Sequence, residues 1–147
     1  MEGTVDDVLS LISPELHAAG WDAITKMRSH PYTREIANAW LSPYTGIAVI
    51  SNRVTPSHVD AKGYLRWYDI LLGFGTYTQA TLRLPDIGAE LEYLPGTIIA
   101  INGKFLRHEV TGWIGGDRIC YAHFMRKEVL DRLGVRILSW VAQADYL

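Results

Sequence analysis

The chain has 147 residues, 48% of them hydrophobic and 20% charged, so it can bury a substantial core and lacks the composition of a disordered protein. Its formal net charge of −2 excludes a global basic field that would attract nucleic acid, so any such contact must be local. Cys120 is the only cysteine, which excludes an intrachain disulfide and indicates a reducing compartment.

The N-terminus is acidic where a signal peptide would be basic, and no apolar run approaches membrane-spanning length. We therefore expect an intracellular protein, the nucleus included, with no membrane association and no obligate protein partner. Neither repeats nor linkers interrupt the chain, so residues 1–147 are expected to form a single domain.

Residues 1–43 have the apolar spacing of helices, and we expect these helices to cover one face of a sheet. A short first helix ends at Ile12. Ser13-Pro14 opens a second helix, with Ser as N-cap and Pro in the first helical position. Pro31 ends that helix, because proline disfavours the helical conformation of the residue before it, and a third helix follows.

From residue 44 onward the apolar runs become short and are separated by turn residues, which is typical of strands. The runs are Ile47–Ile50, Tyr68–Phe74, Thr78–Leu84, Ala89–Tyr93, Thr97–Ile101, Phe105–Val110 and Ile119–Met125. Asn-Gly between two such runs is the strongest short hairpin signal. Asn102-Gly103 therefore predicts that Thr97–Ile101 pairs with Lys104–Val110.

Gly73 and Gly75 are among the turn residues that separate the runs. This number of short strands indicates a sandwich or barrel, here preceded by helices. A helical pattern returns over residues 127–147, interrupted at Gly134. The predicted fold class is α+β, with a β core of residues 44–126 and a short helical segment at the C-terminal side.

Polar residues follow the run Ile47–Ile50 and end in His58 and Asp60, two positions apart. On an extended backbone such residues share a face, so both side chains can reach one point. Imidazole and carboxylate together suit a divalent iron that keeps open coordination positions. A second His would complete the site, and His108 and His123 are the candidates. The alternative for His108 is an ordinary core or surface histidine.

The pairing of the last two runs bears on the choice between His108 and His123. If paired residue numbers sum to an even value, Arg118 shares a face with His108; if the sum is odd, His123 and Tyr121 replace it. Such an iron needs an electron source such as a 2-oxo acid, whose distal carboxylate is best bound by a buried Arg. This chemistry favours His108 as ligand and Arg118 as anchor over a solvated Arg118 paired with Asp117.

The order of these features resembles the double-stranded β-helix, a jelly-roll or cupin-like fold, of the 2-oxoglutarate, Fe(II)-dependent dioxygenases. It has a His-x-Asp after a strand, a Pro-Gly-Thr turn at Pro95, then His108, then Arg118. The stretches SNRVTPSHVDAKG, YLPGTIIAINGKFLRHEV and GDRICYAHFMR resemble the TET/base-J-binding-protein oxygenase domains, especially their short fungal members. The resemblance implies Fe(II) and 2-oxoglutarate as cofactors and methylated nucleic acid as substrate.

The methylated bases implied are 5-methylcytosine or thymine, with N6-methyladenine as a further option. The chain departs from TET-like enzymes at Val59, where they commonly have Arg. Asn52 shares parity with His58 and is expected to contact the cosubstrate or the base. Two alternative functions stay open: a small-molecule 2-oxoglutarate oxygenase, and a catalytically inactive β-helix binding module.

The loop after Asp60, AKGYLRWYD, interleaves basic and aromatic residues, as a nucleic-acid channel requires. Cations would contact phosphates, and an aromatic ring would pack on the target base. The expected substrate contacts are Arg53, Lys62 and Arg66 for phosphates, and Tyr64 or Trp67 for the base. The alternative is that Trp67 begins a core strand and the cations are ordinary surface charges.

Overall fold

The computed structural model describes residues 1–136. The described chain divides into two compact units, one made of Met1–Thr45 with residues 126–136, the other of Gly46–Met125. Within the described residues the first unit is helical and the second contains the strands, so the fold is α+β. No helix in this part of the chain is long and apolar enough to cross a membrane.

The helical unit contains α1 (Glu2–Ile12), α2 (Pro14–Ser29), α3 (Arg34–Ala39) and α4 (Lys127–Arg132). Ser13 is the N-cap of α2 and Pro14 its first residue, as the Ser-Pro pair predicts. The α1 residue Asp6 accepts hydrogen bonds from two α2 side chains, the His17 ring (2.8 Å) and the Trp21 indole (2.7 Å). The predicted helical pattern of residues 137–147 lies outside the described part of the chain.

The strands are β1 (Gly46–Ser51), β2 (Thr55–His58), β3 (Asp69–Leu84), β4 (Ala89–Glu92), β5 (Ile98–Ile101), β6 (His108–Val110) and β7 (Trp113–Phe124). All pairings are antiparallel, in the order β1-β7-β3-β6-β2, and β4 and β5 also pair with β3. This sheet curls into a half-barrel, which confirms the predicted barrel-like class.

The long strand β3 replaces two predicted strands. Gly73 and Gly75 do not form a turn, because the register with β7 continues through both and shifts only on either side of Tyr77. Gly75 has a φ of 126°, and a Cβ there would clash with the carbonyl oxygen of Asp117. The glycines therefore mark an irregular, closely packed stretch inside one strand, where they had indicated a turn between two strands.

The predicted hairpin at Asn102-Gly103 is wrong. β5 pairs with β3, and β6 pairs with β2 and β3. Asn102 instead closes a wider turn, since its carbonyl accepts hydrogen bonds from the amides of Phe105 (3.1 Å) and Leu106 (2.9 Å). Its side chain accepts a third, from the Phe105 amide at 3.0 Å. These hydrogen bonds form a turn after β5, so the chain changes direction before β6 begins.

The core of the β unit is a cluster of apolar and weakly polar side chains from several of its strands. Its buried members are Tyr77, Ala80, Leu82, Leu84, Tyr93, Ile101, Val110 and Cys120. They come from β3, β5, β6 and β7 together with Tyr93, directly after β4. Burial of these side chains holds the strands that carry the candidate site in a fixed arrangement.

Candidate metal centre

Two histidines face each other across the β2–β6 pair. His58, the last residue of β2, is the direct partner of His108, the first residue of β6. Their ring centroids are 4.3 Å apart. Directly opposed residues in an antiparallel pair point to the same side, so the strand register alone brings the two imidazoles together.

Asp60 completes a cluster with these two histidines. One ligand atom from each of His58, Asp60 and His108 can be chosen so that all lie within 4.8 Å of one another. The Asp60 oxygens are 3.6 Å from His58 Nε2 and 3.9 Å from His108 Nε2. Two imidazoles and one carboxylate on one side of a metal are the facial donor set of non-haem Fe(II) oxygenases, with open positions opposite.

Backbone carbonyls orient both rings. His58 Nδ1 lies 2.8 Å from the carbonyl oxygen of Pro56, and His108 Nδ1 lies 3.0 Å from that of Leu106. A carbonyl can only accept, so Nδ1 carries the proton in each neutral ring and Nε2 presents its lone pair toward Asp60. Each imidazole is therefore held in the tautomer that a metal requires.

The turn Asn102–Lys104, called here the Asn-Gly turn, positions Asp60 and the loop behind it. The Asp60 amide donates to the Gly103 carbonyl at 2.8 Å. Lys104 Nζ donates to the Ala61 carbonyl at 2.7 Å, and Asn102 Nδ2 to the Leu65 carbonyl at 2.6 Å. A Cβ on Gly103 would clash with the Asp60 carboxylate. From the sequence alone, this Asn-Gly pair indicated only a hairpin.

Arg118 is buried, with 2% of its surface exposed, so it is not a solvated turn residue. The premise that its strand pairs with that of His108 is wrong, because β7 pairs with β1 and β3. Both side chains nevertheless point toward the core cluster. Cys120 alternates with Arg118 on β7, Val110 alternates with His108 on β6, and both belong to that cluster.

His123 is fully buried on the opposite face of β7, with Nδ1 3.3 Å from the Ile70 carbonyl. Among residues 1–136 the cluster of potential metal ligands contains His108 and not His123. The alternative in which Arg118 shares a face with His108 therefore agrees with the directions of the side chains. The strand pairing that this alternative assumed does not occur.

A phenol, a thiol and a backbone carbonyl lie around the Arg118 side chain. Its guanidinium carbon lies 5.3 Å from the Tyr93 ring centroid, and Nη1 donates to the Arg53 carbonyl at 3.2 Å. The Tyr93 hydroxyl donates to Cys120 Sγ at 3.2 Å. Burial raises the pKa of the Cys120 thiol and of the Tyr93 hydroxyl, so both stay neutral near pH 7. A single buried cation among neutral groups is suited to an anionic ligand.

Asn52 holds the backbone beside Arg118 in place. It adopts a left-handed conformation with φ of 50° after β1. Its side-chain amide donates to Asp117 Oδ1 and accepts from the Arg118 amide, both at 2.8 Å. Asn52 therefore holds the backbone of Arg118, and its contact with a cosubstrate or base stays a prediction. Asp117 thus pairs with Asn52, not with the Arg118 side chain.

The predicted substrate residues divide by exposure. The side chains of Arg53, Lys62 and Arg66 are exposed. Tyr64 is half-buried and its ring lies 5.0 Å from that of Trp67. Trp67 is only 5% exposed and lies before β3, so it is buried without beginning a strand, and the packing of Tyr64 or Trp67 on a base stays a prediction. Phe105 follows the Asn-Gly turn and is 68% exposed, and no sequence pattern singles it out.

Comparison with solved structures finds similar folds. The first is NgTET1 in complex with 5mC DNA, with 22% identity and a TM-score of 0.55, covering 71% of this chain and 41% of that one. This chain thus spans less than half of the NgTET1 chain. A Cupin 2 conserved barrel domain protein from Salinispora arenicola has 19% identity and a TM-score of 0.42, covering 62% and 71%. An RmlC-like cupin from Desulfovibrio desulfuricans has 10% identity and a TM-score of 0.37, covering 52% and 71%.

No protein of the curated set matches this chain. Residues 2–127 match the Tet_JBP family, described as the oxygenase domain of the 2OGFeDO superfamily. The cofactors of that superfamily are Fe(II) and 2-oxoglutarate, and the cluster of two imidazoles and a carboxylate fits the metal. The chain belongs to the Tet_JBP oxygenase-domain family of 2-oxoglutarate- and Fe(II)-dependent dioxygenases.

Proposed function

We propose that this chain is a 2-oxoglutarate- and Fe(II)-dependent dioxygenase that oxidises methyl groups on nucleic-acid bases. 5-Methylcytosine is the first candidate substrate, and N6-methyladenine is a further one. The observation that carries the proposal is the convergence of His58, Asp60 and His108 on one point. Fe(II) with 2-oxoglutarate supplies the activation of O2 for oxidation of a C–H bond.

In this proposal His58, Asp60 and His108 hold the iron. The Nδ1 hydrogen bonds to Pro56 and Leu106 keep both Nε2 atoms available without reorganisation. The Asn-Gly turn holds Asp60 through its own backbone amide. These three donors would fill only part of the coordination sphere of an iron, so the cosubstrate could bind it as well.

Arg118 would bind the distal carboxylate of 2-oxoglutarate. Its burial, its neutral neighbours and the hydrogen bonds of Asn52 to its backbone support this role. A desolvated contact between guanidinium and carboxylate is worth about 2–4 kcal/mol, enough to decide between cosubstrates that have or lack that carboxylate.

Support for a nucleic-acid substrate comes from exposed cations near the ligands in sequence. Arg53 precedes His58 and Lys62 follows Asp60, and both side chains are exposed. The net charge of the chain is −2, so these cations would form a local patch, not part of a global field. NgTET1, a structure of similar fold, is described in complex with 5mC DNA, which makes methylated DNA the first substrate to test.

The first prediction tests the metal site together with the activity. His58→Ala and Asp60→Ala each remove a ligand, so Mn(II) affinity should fall sharply and product formation should drop to background. Mn(II) binding would be measured by electron paramagnetic resonance, and succinate and oxidised base would be quantified with Fe(II), 2-oxoglutarate and methylated DNA. Circular dichroism checks that the fold is kept.

His30→Ala is the matched control, because His30 is exposed and belongs to the helical unit. Equal Mn(II) affinity in the wild type and both ligand variants would refute the site. Metal binding and succinate formation without any oxidised base would refute the nucleic-acid assignment and favour a small-molecule oxygenase. Absence of metal binding in the wild type would favour the inactive binding module.

A further inference from the structure

In the β unit, two buried hydrogen-bond donors have no partner within residues 1–136. They are the Tyr77 hydroxyl and Arg118 Nε, and each residue is 2% exposed. Buried donors are normally paired, because desolvation without a hydrogen bond is costly. An unpaired donor kept in a core therefore needs a reason, and two in one cluster suggest a common one.

Both donors lie around the Tyr93 ring. The guanidinium carbon of Arg118 is 5.3 Å from the ring centroid. A Cβ on Gly73 would be 2.6 Å from the Tyr77 hydroxyl and 3.2 Å from Tyr93 Cε2, so the missing side chain of Gly73 makes the space in which this hydroxyl lies. Burial raises the pKa of Tyr77, opposed by the nearby charge of Arg118, so the phenol is neutral and able to donate.

The third polar group of this cluster, the hydroxyl of Tyr93, already has a hydrogen-bond partner. The Tyr93 hydroxyl donates to Cys120 Sγ at 3.2 Å. The unpaired groups are thus a phenol O–H and a guanidinium N–H. A carboxylate, which is negative and accepts only, can satisfy both donors at once.

We propose that the Tyr77 hydroxyl donates a second hydrogen bond to the distal carboxylate of 2-oxoglutarate, beside Arg118. This inference rests on the proposed function and adds a residue that neither the His-Asp-His cluster nor the sequence pattern indicates. Tyr77 is a positioning residue that helps the site select a 2-oxo acid with a distal carboxylate. The shift of register around Tyr77 in β3 turns its side chain into the cluster.

The test is anaerobic calorimetric titration of the Mn(II)-loaded full chain with two ligands, 2-oxoglutarate and 2-oxopentanoate. The second has the same chain length but lacks the distal carboxylate. Tyr77→Phe should weaken 2-oxoglutarate binding about tenfold, the value of one hydrogen bond to a charged group, and leave 2-oxopentanoate binding unchanged. Without ligand, the melting temperature of Tyr77→Phe should equal or exceed that of the wild type, because the variant loses only an unpaired hydroxyl.

Tyr93→Phe is the matched control, since it deletes a hydroxyl from the same cluster that is already bonded to Cys120. It should lower stability and leave the preference for 2-oxoglutarate over 2-oxopentanoate intact. Equal 2-oxoglutarate affinity in Tyr77→Phe and wild type, or equal weakening of both ligands, would overturn the inference alone. Normal 2-oxoglutarate binding without oxidised DNA would overturn the proposed substrate while leaving the role of Tyr77 intact.

Discussion

The position of the Asp60 carboxylate depends on Gly103, a residue that has no side chain. Gly103 accepts the Asp60 amide hydrogen bond with its carbonyl, and its Cα lies so close to the Asp60 carboxylate that no Cβ fits. Asp69 Oδ2 would be 3.1 Å from the same Cβ, so two carboxylates approach this glycine. Gly103 therefore sets where one of the three candidate ligands lies without being a ligand itself.

Gly103→Ala should displace the Asp60 carboxylate and weaken Mn(II) binding by at least about tenfold, the size of effect typical of residues that orient metal ligands. Gly112→Ala is the matched control, because a Cβ at Gly112 meets nothing within 4 Å. Mn(II) titration and thermal unfolding of both variants would separate loss of metal from loss of fold. Unchanged Mn(II) affinity in Gly103→Ala would show that the carboxylate tolerates the displacement.

Individual residues of the candidate site were predictable where the signal was local. His58 and Asp60 follow from their spacing on an extended chain. The hydrogen bonds of Asn52 were not predictable, because its partners, Asp117 and Arg118, lie 65 and 66 positions away and are brought close only by the β1–β7 pairing. Side-chain parity in a sequence does not reveal such long-range partners.

At the scale of elements, most apolar runs became strands, but two of the predicted turns were wrong. Gly73 and Gly75 lie inside β3, and Asn102-Gly103 lies in a wider turn between strands that do not pair with each other. Each glycine is required by a close approach, of Asp117 at Gly75 and of Asp60 at Gly103. Glycine marks tight geometry, but the sequence alone does not distinguish a hairpin from close packing.

The loop Ala61–Trp67 is anchored by the Asn-Gly turn at Ala61 and Leu65, so its exposed cations have a defined backbone. Reversing Lys62 and Arg66 to Glu should weaken binding to methylated DNA and reduce the slope of log affinity against log salt by about 0.9 for each lost phosphate contact. Uncoupled 2-oxoglutarate turnover should not change. Fluorescence anisotropy at several salt concentrations gives the slope.

The control for this double variant is Arg34→Glu with Arg132→Glu, which changes the net charge equally with two exposed residues of the helical unit. DNA binding equally weakened by both double variants would mean that net charge matters and the loop does not. DNA binding unchanged in the Lys62 and Arg66 variant would exclude this loop as the nucleic-acid surface.

On the scale of the whole molecule, the buried core carries titratable groups with a consequence for stability. Burial raises the pKa of Cys120, Tyr93 and Tyr77 above their ordinary values, which are 9.0 for the thiol and 10.0 for the phenols. The folded state therefore holds protons that the unfolded state releases in alkali. Their stabilising contribution is fully present below pH 9 and is lost as the pH rises above it.

We expect the free energy of unfolding to fall steadily as the pH rises above 9. Cys120→Ala should be less stable at pH 7, because it leaves a cavity, but its further loss between pH 8.5 and 10 should be smaller than that of the wild type. Urea unfolding at a series of pH values measures both. Parallel pH profiles for the two proteins would show that the thiol does not contribute to the alkaline loss.

The fold class was predictable as a whole, because alternation of short apolar runs after a helical segment indicates α+β with a barrel-like sheet. The strand order was not, because it depends on which strands meet β3. Because β6 and β7 both pair with β3, His108 and Arg118 point to the same side although their strands do not pair with each other. The single-domain organisation stays a prediction.

The position of β2 at the end of the sheet order has a kinetic consequence. This edge strand has four residues, pairs with β6 and ends in the candidate ligand His58, while Asp60, two residues on, is held by the Gly103 carbonyl. Fraying of one short edge strand costs far less than global unfolding. A metal bound to His58, Asp60 and His108 would hold β2 against β6. The exchange rate of that metal would then measure how often β2 separates from the sheet, not how often the molecule unfolds.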